Sequence, residues 1–90
     1  MVRKELEEDI LLHFRSTQGK GVRIHERKEY LAGERRVVSQ VEIARRRMWG
    51  LLPMKVTRSC RVMDIPEDIT TREELERYIR NNRDQWRNEP

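Results

Sequence analysis

The stretch Val37-Val38-Ser39-Gln40-Val41-Glu42-Ile43-Ala44-Arg45-Arg46-Arg47-Met48-Trp49-Gly50 decides the fold, because it supports two readings. With a period of two, Val37, Val41 and Ile43 alternate with polar residues and make a half-buried strand. With a helical period, Ser39 and Glu42 form a capping box, Val41, Ala44 and Met48 share a face, and Gly50 is the stop. Four β-branched residues (Val37, Val38, Val41 and Ile43) crowd the first half. Such side chains lose rotamer freedom in a helix and fit a pleated surface, so the strand reading leads. The alternative, a helix over 39–49 in a winged-helix or helix-turn-helix variant, stays open.

On either side the alternation continues. Val22, Ile24 and Tyr30 precede the central stretch, and Met54, Val56, Cys60 and Val62 follow it. Leu31–Glu34, with Gly33, is expected to close the first hairpin, and Gly50 and Pro53 to separate the second and third strands. Arg58 interrupts the inward pattern and marks a candidate bulge. Towards the N-terminus, Val2, Leu6, Ile10 and Phe14 repeat at i, i+4 with Leu11 at the edge, which predicts a helix over 2–15. Glu5, Glu7, Glu8 and Asp9 suit its positive N-terminal end. Towards the C-terminus, Thr70 or Thr71 with Glu73 or Glu74 forms a capping box. Leu75, Tyr78, Ile79 and Trp86 then share a face, predicting a helix over 71–86 that weakens at Asn82.

The expected architecture is an α+β, two-layer α-β-β-β-α domain spanning 1–90. A three-stranded antiparallel sheet over 21–63 carries both helices on one face. That element order resembles the order in double-stranded RNA-binding domains. The loop histidine and the basic, glycine-rich start of the last helix that mark those domains have no counterpart, and Glu73, Glu74 and Glu76 begin the helix instead.

With 36% hydrophobic and 40% charged residues, the chain can build only one thin core, so a homodimer sharing apolar surface is expected. One cysteine, Cys60, excludes an intramolecular disulfide, and two histidines without metal-ligand spacing argue against zinc. No apolar run approaches the roughly 20 residues of a membrane span, and Met1–Asp9 lacks a signal-peptide pattern, so a cytoplasmic protein is expected. No phosphate loop, nucleophile elbow or carboxylate pair suggests catalysis, a cofactor or a small-molecule substrate.

Charge is the functional signal. Residues 1–19 balance at −1, residues 20–63 carry twelve bases and four acids (+8), and residues 64–90 balance at −3. A basic centre between acidic flanks points to a polyanion, and to nucleic acid first. The pleat is expected to put Arg23, His25, Arg27, Arg36, Gln40, Glu42, Arg46, Lys55, Thr57, Ser59 and Arg61 on the sheet face away from the helices. The expected nucleic-acid contacts are Arg23, His25, Arg27, Arg36, Arg45, Arg46, Arg47, Trp49, Lys55 and Arg61, with Trp49 able to stack on a base or close the core. Two alternatives remain. One is an assembly module whose contact patch is Trp49, Leu51 and Leu52. The other is a small toxin-type ribonuclease using His25 beside Arg23, Arg27 and Lys28.

Overall fold

In the structure of the protein, a computed structural model, residues 6–47 and 52–89 are described. The central stretch is a strand: β3 (Arg36–Arg47) lies between β2 (Val22–Leu31) and β4 (Leu52–Asp64), hydrogen-bonded on both sides. The helical alternative fails over 39–47, where every backbone group of the β-branched run is already committed to a ladder; Met48 and Trp49 lie outside the described residues. With β1 (Ile10–Gly19) and the short β5 (Arg87–Asn88), these strands form an antiparallel sheet of order β1-β2-β3-β4-β5. The described helices are α1 (Arg72–Asn81) and a 3-10 turn at Arg83–Gln85.

The α-β-β-β-α arrangement is therefore wrong, and its element-order resemblance falls with it. Where a helix over 2–15 is expected, Ile10–Gly19 pairs with β2, from Ile10 opposite Tyr30 to Gly19 opposite Val22. A spacing of four does not discriminate here, because every fourth residue shares a face in a strand as well as in a helix. Glu7, Glu8 and Asp9, ahead of the strand, do not cap a helix, while residues 2–5 of the expected helix lie outside the described residues. Asp9 instead accepts a hydrogen bond from the Ala32 amide at 3.0 Å, tying the strand's start to the β2–β3 turn. Register slips between Leu11 and His13, so Ile10 and Leu12 pack on the core while Phe14 emerges on the opposite face.

The last helix is real but shorter than 71–86. The Thr71 hydroxyl accepts from the Glu74 amide (3.1 Å) and the Glu74 carboxylate accepts from the Thr70 amide (3.2 Å), a capping box. Leu75 is fully buried. The helix stops because the Asn82 side-chain amide donates to the Tyr78 carbonyl (2.9 Å), and β5 follows within a few residues. Among the described residues no helix is long and apolar enough to cross a membrane.

The core gathers at one end. Leu6, Tyr30, Val37, Met63, Ile65 and Leu75 form it, with Ile69, Tyr78, Ile79 and Trp86 packed around. Ile10, Tyr30, Val37 and Met63 are one cross-strand row, so α1 covers the sheet face that this row presents. Beyond this head the strands run on as an arm, and the molecule measures 61 × 22 × 22 Å. The β1–β2 turn at the arm's end has Gly21 at φ 73°, in the left-handed region that glycine enters without strain. Gly33 is not the left-handed residue of the head-end turn; Arg35 is, at φ 50°, held by its guanidinium on the Pro66 carbonyl and by the Ile65 amide on its own carbonyl.

Candidate functional site

The arm's chemistry follows from where its sequence turns. Residues 13–27 and 40–58, the outer parts of two hairpins, hold nine bases and two acids, a balance of +7; the rest of the chain balances at −3. No acid occurs in 10–25 or in 43–63. The fold lays these two stretches side by side, because Val22 pairs with Arg45 and Arg45 with Lys55. The Arg46 amide donates to the Gly21 carbonyl at 2.7 Å, locking the second hairpin against the turn of the first.

Lys20, Arg23, Arg45, Arg46, Arg47 and Lys55 thus share one end, and none makes an ion pair with another described residue. Arg45 directly opposite Lys55 is a like-charge cross-strand pair, which destabilises a sheet unless an anion lies over it. The register shift between Arg45 and Arg47 turns the triple arginine out of a flat ladder, so its side chains spread around the end.

The expected basic face does not form as drawn. Arg23, His25, Arg27, Arg36, Gln40 and Glu42 do share the face away from α1, as the cross-strand pairs show. Lys55, Thr57, Ser59 and Arg61 are on the other face, since Met63 rather than Val62 joins the core row. A one-residue error of parity moves a whole strand's side chains across the sheet. Their places are taken by Met54, Val56, Arg58 and Cys60. Arg36 and Arg61 lie at the head end: Arg36 is 3.5 Å from Glu34, and Arg61 lines a shallow pocket with Lys28 and Trp86. Trp49 lies outside the described residues. Lys20 and Arg15, which the sequence reading passed over, belong to the basic end and flank of the arm; the acid-free run 10–25 was the available signal.

On the face away from α1 the arm curves into an open groove of about 550 Å³. Two cross-strand rows make its floor: Phe14, Arg27, Gln40 and Cys60 in one, Ser16, His25, Glu42 and Arg58 in the next. Arg58 donates to Glu42 at 3.0 Å and Arg27 to Glu29 at 3.2 Å, so the groove is nearly charge-balanced, unlike the end of the arm. Among the described residues no group of three or more His, Cys, Asp or Glu is placed to hold a metal ion. On the α1 side of the sheet, Glu26 bonds Lys28 at 3.1 Å with His13 4.0 Å away, and the Lys28 ammonium, by hydrogen bond and charge, holds the Glu26 carboxyl below its ordinary range. Comparison with models of protein families, with curated proteins and with solved structures finds no match to this chain.

Proposed function

We propose that this protein binds nucleic acid without catalysis, through the basic end of its two-hairpin arm. The observation that carries this reading is the acid-free cluster Lys20, Arg23, Arg45, Arg46, Arg47 and Lys55, kept at one end of a 61 Å molecule with Arg45 and Lys55 opposed. Cations held together without counter-charges cost stability, and a phosphate backbone supplies the missing anions. Four strands side by side span roughly 14 Å between outer backbones, wider than a major groove of about 12 Å, so the sheet cannot lie in the groove to read bases. Contact is then to phosphates, from the hairpin ends.

The logarithm of the binding constant should fall linearly with the logarithm of salt concentration, and replacing Arg45, Arg46 and Arg47 together by Ala should flatten that slope by roughly 3. Fluorescence anisotropy with labelled oligonucleotides measures both. No binding at low salt, or binding indifferent to salt, sinks the proposal.

One observation supports a self-association reading beside this one. Among the described residues the outer edge of β4 has no partner strand from Leu52 to Ser59, and exposed Leu52, Met54 and Val56 lie along it until Glu89, on Cys60, closes the edge. Antiparallel pairing of two copies about Val56 opposes Lys55 to Thr57 and Met54 to Arg58, with no like charges directly opposed. Sedimentation over a concentration series should then show a dimer that Val56→Lys weakens; a monomer throughout excludes it.

A further inference from the structure

Phe14 is the most exposed large apolar side chain in the described structure, 60% accessible, and it lines the groove rather than the core. Its cross-strand neighbour is Arg27, and beyond Arg27 lies Gln40, two strands and about 10 Å away. The next row brings Glu42, whose carboxylate is fixed by Arg58 at 3.0 Å. An aromatic face, an amide that both donates and accepts, and an oriented carboxylate therefore converge on a groove with room for a nucleoside.

Resting on the nucleic-acid reading, we propose that this groove receives an unstacked base of single-stranded nucleic acid, with the base lying on Phe14. Each base has a π-face, so stacking holds the strand, while a base inside a duplex cannot reach the ring. Gln40 and Glu42 face the base edge. Glu42 only accepts hydrogen bonds and Gln40 both donates and accepts, so the pair suits bases bearing an exocyclic amino group, adenine, cytosine and guanine, over uracil and thymine. The near-neutral charge of the groove fits a base, which is uncharged, whereas the phosphates follow Arg27 and Arg23 along the same face of β2 towards the basic end, roughly 13 Å further on. The groove and the arm's end thus divide the work: one takes the base, the other the backbone.

The test uses the whole chain with two probes, a single-stranded oligoadenylate and a duplex of the same length, at low salt. Phe14→Ala should weaken single-strand binding by on the order of fivefold to a hundredfold and leave duplex binding unchanged, and Phe14→Trp should restore the loss. Because Phe14 is exposed, both variants should keep the circular dichroism of the parent, which separates a lost contact from a lost fold. Equal loss on both probes, or none on the single strand, overturns the base site while the salt-dependent phosphate reading stands. If Phe14→Ala changes only the sedimentation coefficient, Phe14 is a contact between copies and the base site is overturned. If the parent binds neither probe, the underlying reading fails and takes the base site with it.

Discussion

Tyr30 sits at the centre of the core with no accessible surface, yet its hydroxyl has no hydrogen-bond partner among the described residues. The ring is therefore the stabilising part and the hydroxyl an unmet cost. Tyr30→Phe should leave stability unchanged or raise it by on the order of 1 kcal/mol, whereas Tyr30→Ala should lower it by about 3–5 kcal/mol, both read from urea unfolding. Glu26 carries a pH dependence whose sign is definite. Its folded carboxyl titrates below the ordinary 4.5, chiefly through the Lys28 hydrogen bond, so the unfolded chain takes up the proton first. The stabilisation is present above about pH 4.5 and disappears as pH falls through the lowered folded value. In Lys28→Ala this part of the acid limb should be lost, which unfolding midpoints across that range would reveal. At this scale the place of the positive charge was legible from the sequence, since Arg23, Arg45, Arg46, Arg47 and Lys55 fall at one end of the arm, although on both faces of the sheet. Phe14 was not, because its i, i+4 place among Leu6 and Ile10 reads as core until a bulge turns it outward.

The elements divide by how local their signals are. The start of α1 was readable because a capping box is a contact between neighbours, and Thr71→Ala should lower the thermal midpoint by an amount worth about 1 kcal/mol. Its end was not, because Asn82 closes the helix onto Tyr78 and the chain then returns as β5 on Arg61 and Val62, a pairing across the sequence. β1 was misread for a related reason: its ten residues become a strand only by pairing with β2, and nothing within Ile10–Gly19 announces that partner. β4 was recognised as a strand but with its faces exchanged. Val56, Cys60 and Val62 alternate as well as Met63 and Ile65 do, and it is the core built with Leu75 that decides which set faces the helix, Val62 being buried on the other face.

At the scale of the molecule, the basic middle of the sequence is an end of the structure, because two hairpins fold residues distant in the chain into one tip. Sequence charge located the excess; topology gave it a shape. Among the described residues the same topology leaves the arm without a covering layer: beyond the head no helix lies on either sheet face, and of the buried apolar side chains described only Ala44 lies out along the arm. Backbone ladders there are supported by little besides each other, so amide protons of Ile24, Ile43 and Val56 should exchange orders of magnitude faster than those of Tyr30, Val37 and Met63 in native-state hydrogen exchange. A strand or duplex lying along the arm would act as the absent layer. Adding it should slow exchange in the arm while the head's rates barely move, making recognition and the ordering of the arm a single thermodynamic event.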